Sequence, residues 1–158
     1  MQDFENTIEE KPIIVPTKEH TLLEAFVGKW AVEGENYPVG PNEAQTTVKG
    51  IETYEWLSGG FFILYKWDRY FGFDNHNGIG MISHDELKHT FQLNNYDNMG
   101  YAKSYQIIFE NESWNFTAES ERAIIQFSAD GNSFSEKWEV RDKLTWKTLC
   151  LLTGKRIS

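Results

Sequence analysis

Two short segments of the chain place aromatic and charged side chains at every second position. Their members are Glu52, Tyr54 and Trp56 in the first segment and Tyr65, Trp67 and Arg69 in the second. Residues two apart lie on the same face of a β-strand, so each charge shares a face with aromatic rings. Burying an unpaired charge is costly. Three roles therefore stay open for Glu52 and Arg69: an internal ion pair, a hydrated rim, or contact with a ligand.

A second kind of chemistry could come from histidines that lie near aspartates. His76, His84 and His89 are close in sequence to Asp74 and Asp85, and imidazole and carboxylate groups are common zinc ligands. Their spacing does not match HExxH or a related metal-binding motif. These residues fall at predicted turns, where polar side chains contact water. We therefore predict surface turns here and no metal site.

The sequence contains two candidates for a catalytic nucleophile, Ser83 and Cys150. Ser83, His84 and Asp85 have the side chains of a catalytic triad. Adjacent strand residues point to opposite faces, however, whereas the members of a triad converge from separate segments. Cys150 lies in the apolar run 149–152, where burial raises the pKa of a thiol. We predict an unreactive core cysteine and no catalytic residue.

The composition is that of a folded, acidic protein. Of the 158 residues, 40% are hydrophobic and 15% aromatic, and the formal net charge is −9. Nucleic-acid binding depends on neutralising phosphates with lysine and arginine, so we expect no such partner. No stretch approaches the roughly 20 apolar residues that span a bilayer, and the acidic start does not resemble a signal peptide. We expect a cytoplasmic protein without a membrane span.

Short runs rich in aromatic and β-branched residues predict an all-β fold. The runs are 30–37, 46–57, 61–71, 78–83, 90–96, 102–110, 113–119, 123–128, 133–140 and 145–153. Breaks rich in Gly, Asn and Asp, such as 74–77, are typical of hairpin turns. The breaks are too short for crossover helices, so neighbouring strands must be antiparallel. Closure removes the exposed edges of such a sheet, which predicts an up-and-down barrel of about ten strands.

The N-terminal part differs from the rest of the chain. Residues 1–16 are acidic and contain two prolines, which predicts an extended arm. Thr17 can cap a short helix that runs to about Phe26 and ends at Gly28. The domain assignment is therefore an arm at residues 1–16 and a barrel at residues 17–158.

Alternation along the runs predicts which side chains face the barrel interior. The predicted ligand-binding set combines aromatic area with a few polar groups: Glu52, Tyr54, Trp56, Tyr65, Trp67, Arg69, Asn95 and Tyr105. Arg69 comes last on its inward face, so we expect its charge at a hydrated rim, opposite the helix. A ligand would enter at that rim, with Arg69 or Asn95 anchoring its polar end, and Arg69 could select a carboxylate.

Three motifs resemble those of a known superfamily. The Gly28-Lys29-Trp30 sequence, with Lys155-Arg156 near the end of the chain, resembles the signature of the calycins, which include lipocalins and fatty-acid-binding proteins. The longer matches LxxFVGKW at 23–30, WLSGGFF at 56–62 and GKR at 154–156 resemble a bacterial calycin-like family that carries a domain-of-unknown-function label. The resemblance implies a ten-stranded barrel with an internal cavity and no established reaction. It also implies that Trp30 closes one end of the barrel beneath a basic side chain.

A neighbouring calycin-like group, the nitrobindin-type haem barrels, also begins with Gly-x-Trp. Those barrels hold haem iron through a histidine near the C-terminus. The last histidine of this chain is His89. We therefore expect no haem and assign no cofactor.

These observations favour intracellular binding of a small apolar or aromatic molecule in the barrel cavity. One alternative is an enzyme in which Glu52 acts as acid or base and Tyr65 or Tyr105 orients the substrate. Another is a barrel that is filled by its own side chains and acts through its surface, with a homodimer possible. The enzyme requires a titratable group with a strongly perturbed pKa inside the pocket, whereas the filled barrel requires no cavity.

Overall fold

The computed structural model describes residues 14–158, and within them ten strands follow one another in antiparallel order. The strands are β1 (Gly28–Asn36), β2 (Thr46–Trp56), β3 (Ile63–Phe71), β4 (Asp74–Asp85), β5 (Thr90–Asp97), β6 (Ala102–Glu110), β7 (Ser113–Thr117), β8 (Glu121–Phe127), β9 (Ser133–Asp142) and β10 (Thr145–Arg156). Each strand pairs with the one before it, and β10 also pairs with β1, so the sheet closes into a barrel. The predicted calycin-like, up-and-down barrel is confirmed.

A short helical segment precedes β1. The α-helix α1 (Lys18–Leu22) continues directly into a 3₁₀ helix (Leu23–Phe26). Thr17 is the N-cap, and its backbone N–H donates to Nδ1 of His20 at 3.0 Å. The predicted helix is found as these two joined segments. Of the predicted arm, residues 1–13 lie outside the described part of the chain. No helix in residues 14–158 has the length and apolarity needed to cross a bilayer.

One end of the barrel, which we call the closed end, is sealed around Trp30. The Trp30 side chain is fully buried, and its Nε1 donates to the carbonyl oxygen of Phe26 at 2.8 Å. Trp30 pairs with Arg156 across β1 and β10, and the guanidinium carbon lies 4.2 Å from the centre of the indole ring. The Phe26 ring packs 4.9 Å from Trp114 and 5.0 Å from Phe127. The predicted burial of Trp30 beside a late basic residue is confirmed.

The other end, which we call the open end, is where β1, β3 and β5 finish at Asn36, Phe71 and Asp97. Here the structure corrects the predicted break at residues 74–77, which form the beginning of β4. The reversal instead occurs at Gly72 and Phe73, and Gly72 supplies the positive φ of 62° that a tight turn requires.

The polar run at the start of β4 is compatible with a strand because its outward side chains bond to their neighbours. Nδ2 of Asn75 donates to Oδ1 of Asp68 at 2.6 Å, and Asn75 also accepts from Asn77. Across the ladder, His76 pairs with Arg69 on β3. Extending β4 in this way brings His76 to the barrel interior instead of a surface turn.

Candidate functional site

An internal cavity of about 160 Å³ lies between the closed end and the open end. Its wall is mostly aromatic and aliphatic, and the rings that line it are Tyr54, Tyr65, Trp67, Phe71, His76, Tyr101, Tyr105, Phe116 and Trp138. Around its mouth at the open end lie Asp97, Tyr101, Lys103 and Glu121. The space is therefore enclosed on the helix side and reaches the surface on the opposite side.

Three stacked rings from β2 and β3 form one wall of the cavity. Tyr54 and Tyr65 are direct partners across the two strands, with ring centres 4.4 Å apart. Tyr65 stacks in turn on Trp67 at 5.1 Å. Gly78 of β4 lies opposite Trp67, and a Cβ added there would lie 2.5 Å from the indole ring. Glycine at position 78 is what lets the indole lie flat against the barrel wall.

A buried ionic cluster lies at the base of the cavity. The Arg69 guanidinium donates to Glu52 through Nη2, and the same nitrogen lies 3.4 Å from Oε2 of Glu136. Tyr65 donates its hydroxyl proton to Oε1 of Glu52 at 2.7 Å. Nε1 of Trp138 donates to Oε1 of Glu136 at 2.8 Å. Two carboxylates thus share one guanidinium.

The position of Arg69 corrects one sequence prediction and confirms another. Arg69 was expected at a hydrated rim, but the residue is only 7% exposed. The predicted run 61–71 already placed Phe71 beyond Arg69 on the same face, where it lines the cavity. The burial that the sequence did not reveal comes from Glu136, which approaches from β9. The internal pair between Glu52 and Arg69, one of the three roles left open by the sequence, is present.

Burial perturbs the proton affinity of several groups in this cluster. Burial raises the pKa of Glu136 to about 7, although the nearby Arg69 opposes that shift. Burial likewise raises the pKa of the Tyr54 and Tyr65 phenols well above their ordinary value. Burial also raises the pKa of the Cys150 thiol to about 12. The raised thiol pKa agrees with the predicted unreactive cysteine, and a pKa of about 7 means that Glu136 changes protonation near neutral pH.

Around the mouth, the basic side chains are each paired with an acid. Nζ of Lys103 lies 2.7 Å from Oε1 of Glu121, and Tyr105 donates to Oε2 of the same carboxylate at 2.6 Å. Nε2 of His76 lies 3.0 Å from Oδ2 of Asp97. These contacts fix the orientation of the mouth residues.

Most of the predicted set surrounds the cavity. The members that line it are Tyr54, Tyr65, Trp67, Arg69, Asn95 and Tyr105. Glu52 lies behind the lining, bonded to Arg69. Trp56 lies away from the cavity, where its indole donates to Glu24 of the 3₁₀ helix. The ligand-binding role of these residues stays a prediction.

Sequence reasoning missed Glu136 and assigned no site role to Trp138. Both lie on the inward face of β9, two residues apart, and both line the cavity. This is the same alternation of charged and aromatic residues that identified Glu52 and Arg69. The alternation in the sequence could therefore have identified Glu136 and Trp138 as well.

The histidines considered as metal ligands do not come together. His76 lies near the open end, whereas His84 packs at the other end of β4, 5.2 Å from the ring of His20. His89 lies in the turn between β4 and β5 with a φ of 54°. Within residues 14–158, no group of three His, Cys, Asp or Glu side chains is arranged to hold a metal ion.

Comparison with solved structures supports the fold assignment. Rv2717c from M. tuberculosis superposes with a TM-score of 0.68 at 12% identity, over 90% of this chain and 99% of that one. The zebrafish ileal bile acid-binding protein in complex with cholic acid superposes with a TM-score of 0.52 at 13% identity, over 84% of this chain and 99% of that one. At such identities the likeness concerns the fold alone.

The sequence itself carries the family assignment. No curated protein matches the chain. A family profile described as "Protein of unknown function (DUF1579)" matches residues 15–148, which is nearly the whole barrel. The chain belongs to this DUF1579 family of calycin-like barrels.

Proposed function

We propose that the barrel binds a small apolar or aromatic molecule, about the size of a single ring, in its internal cavity. The observation that carries this proposal is the cavity itself, with its volume of about 160 Å³ and its largely aromatic wall. An apolar cavity of about 150 Å³ is large enough to bind benzene. Rings such as those of Trp67 and Trp138, which both line the cavity, supply contact area at little cost in conformational entropy.

The two ends of the barrel favour one route for this molecule. Phe26 and Trp30 seal the closed end. At the open end, Tyr101 is 55% exposed and borders the mouth. The ligand would enter there, opposite the helix, and lie against the stacked wall of Tyr54, Tyr65 and Trp67.

The bile acid-binding neighbour supports the use of such a cavity but not the same ligand. Cholic acid, the molecule in that complex, has four fused rings, and a space of about 160 Å³ cannot enclose it. The ligand of this chain should accordingly be smaller. A location inside the cell and a homodimer both stay predictions.

The test is a size series followed by intrinsic tryptophan fluorescence, because Trp67 and Trp138 both line the cavity. We expect saturable quenching with toluene and benzyl alcohol and none with cholate, oleate or haem. Binding of the large molecules in preference to the single-ring ones would contradict the assigned ligand size. Binding of neither set would contradict the proposal.

A pair of neighbouring substitutions locates the binding. Cys150 lines the cavity, whereas Leu151 beside it is 42% exposed on the outer surface. We expect Cys150→Phe to fill the cavity and abolish toluene binding. Leu151→Phe, the matched control, should leave the affinity unchanged. Circular dichroism of both variants checks that the barrel still folds.

Acid–base catalysis is a second candidate function, favoured by the raised pKa of Glu136 at the base of the cavity. It predicts that a molecule bound in the cavity is chemically changed during incubation and that Glu136→Gln stops the change. Proton NMR of the ligand pool before and after incubation measures this directly. The filled-barrel alternative expects no internal space, and the cavity counts against it.

A further inference from the structure

We infer that the polar end of the bound molecule is a hydrogen-bond donor, best a cation such as an ammonium group, and that Glu136 receives it. This inference rests on the proposed binding of a single-ring molecule in the cavity. It reverses the expectation that Arg69 selects a carboxylate. Four observations on the cavity residues support it.

The first observation is the charge balance at the base of the cavity. Arg69 is already paired with Glu52 and lies 3.4 Å from Glu136. All three residues are less than 10% exposed. A ligand carboxylate placed here would be a third acid beside one guanidinium. A ligand ammonium group would instead give the two carboxylates two positive partners, the ammonium group itself and the Arg69 guanidinium.

The second observation concerns the other basic groups. Lys103 is held by Glu121 at 2.7 Å and His76 by Asp97 at 3.0 Å. Among the described residues that line the cavity, each basic side chain therefore already has an acidic partner. An anionic ligand would have to compete with one of these carboxylates for its counter-charge.

The third observation is the surplus of hydrogen-bond acceptors. A carboxylate can accept about four hydrogen bonds, and Glu136 accepts a short one from Trp138 and a long one from Arg69. Oε2 of Glu52 and Oδ1 of Asn95 are buried without a partner among the described residues. Nε of Arg69 is a donor that is also buried without a partner among the described residues. Unpartnered acceptors thus outnumber unpartnered donors in and behind the cavity wall.

The fourth observation is the ring wall itself. Trp67, at the end of the stack with Tyr65, and Trp138 both line the cavity. A cation within about 6 Å of a ring face is attracted by the quadrupole of that ring. The net charge of −9 favours cations at longer range as well.

The pH dependence of binding follows from the groups that face Glu136. They are Glu52 and Tyr54 from β2, Tyr65 and Arg69 from β3, Trp138 from β9 and Cys150 from β10. Across the ladders, Glu136 pairs with the apolar Ile125 of β8 and Leu152 of β10. Burial raises the pKa of Glu136 to about 7, so its charge changes between pH 6 and pH 8. An ammonium ligand should bind more tightly as the pH rises from 6 to 8, because the Glu136 carboxylate then carries its charge.

The experiment compares four single-ring compounds by calorimetric titration of the full-length protein at pH 6 and pH 8. The compounds are toluene, benzyl alcohol, benzylamine and benzoate. At pH 8 we expect benzylamine to bind at least about tenfold more tightly than benzoate, since a hydrogen bond to a charged group contributes roughly that much. Glu136→Gln should remove this preference. Glu139→Gln, which changes an outward carboxylate paired with Arg122, is the matched control.

The outcomes separate this inference from the proposal on which it rests. Tighter binding of benzoate, or equal affinity for benzylamine and benzoate, overturns the inference while leaving the single-ring cavity in place. Failure of all four compounds, toluene included, overturns the proposed function and the inference together. If Glu136→Gln does not fold, the ligand series and its pH dependence on the unmodified protein still decide the question.

Discussion

Two arginines of the barrel, one at the closed end and one beside the cavity, have guanidinium groups in different surroundings. Arg156, at the closed end, stacks on Trp30 and donates to backbone carbonyl oxygens, including that of Gly131 at 3.0 Å. Arg69, at the base of the cavity, lies among the carboxylates of Glu52 and Glu136. The two surroundings differ in whether hydrogen-bond acceptors near the arginine are left without a donor.

At the closed end, neutral acceptors and a ring face surround the guanidinium, and aromatic rings fill the remaining space. Phe127 and Phe134 lie 5.8 Å and 5.1 Å from Trp30. Around Arg69, by contrast, acceptors remain without donors and an open cavity adjoins them. We therefore expect substitutions at the closed end to change stability alone, and substitutions in the cluster to change the proposed binding as well.

The largest effect on stability should come from Trp30→Ala. Truncating a fully buried tryptophan in a packed core costs about 3–5 kcal/mol of unfolding free energy. Trp146→Ala is the control, because Trp146 packs on the outer surface against Arg122, with the guanidinium carbon 4.3 Å from the ring centre. Loss of that contact should cost about 1 kcal/mol. Urea denaturation measures both, and an unchanged midpoint for Trp30→Ala would refute its role as the plug.

Arg69→Met should be the next most damaging change. It leaves Glu52 and Glu136 buried without a counter-charge, which typically costs about 3 kcal/mol or more at pH 8. The cost should shrink at pH 5, since the carboxyls can then take up protons. Arg122→Met removes a partly exposed pair with Glu139 and the contact with Trp146, and should cost no more than about 2 kcal/mol. Equal costs for the two variants at pH 8 would mean that the buried cluster does not depend on its guanidinium.

The pH dependence of stability offers a separate test of Glu136. Because burial raises its folded-state pKa from 4.5 to about 7, the folded protein holds a proton that the unfolded chain has lost between those values. This carboxyl therefore makes the free energy of unfolding fall as the pH rises from about 4.5 to 7, by up to a few kcal/mol. Glu136→Gln should remove that part of the slope. Denaturation at pH 5 and pH 7.5 measures the difference, and identical slopes for the two proteins would contradict the assignment.

A smaller effect is expected at Gly78, which gives the Trp67 indole its space. In Gly78→Ala the new Cβ would meet the Trp67 ring at 2.5 Å and would also collide with the backbone carbonyl oxygen of Tyr96. Overpacking of this kind costs about 1–3 kcal/mol, and the displaced indole should weaken toluene binding. Gly40→Ala is the control because its added Cβ meets only ordinary contacts, the nearest at 3.5 Å. Unchanged stability and binding in Gly78→Ala would show that Trp67 can reposition freely.

Local patterns in the sequence predicted the closed end well. The alternation of residues gave the inward faces, and the Gly-x-Trp motif with a late arginine located the plug. How deep an inward side chain lies below the rim of the barrel was harder to predict. The predicted run 61–71 already extends past Arg69, but the burial of Arg69 also depends on Glu136, which approaches from β9 and is 67 positions away in sequence.

Two further differences have local physical causes. Trp56 has the alternation of an inward residue, but it is the last residue of β2, and its indole bonds to the 3₁₀ helix instead of lining the cavity. The start of β4 looked like a turn because Asn and Asp favour turns. In the folded barrel, hydrogen bonds between Asn75, Asn77 and Asp68 stabilise a strand there.

The central claim, that the interior cavity binds a single aromatic ring, is tested most directly by a crystal structure of the protein soaked with iodobenzene. The anomalous signal of iodine locates the ligand independently of its fit to the density. We expect one iodine peak inside the barrel, in the cavity enclosed by Trp67, Phe116 and Trp138. An empty cavity, with iodine found only on the outer surface of the barrel, would contradict the account.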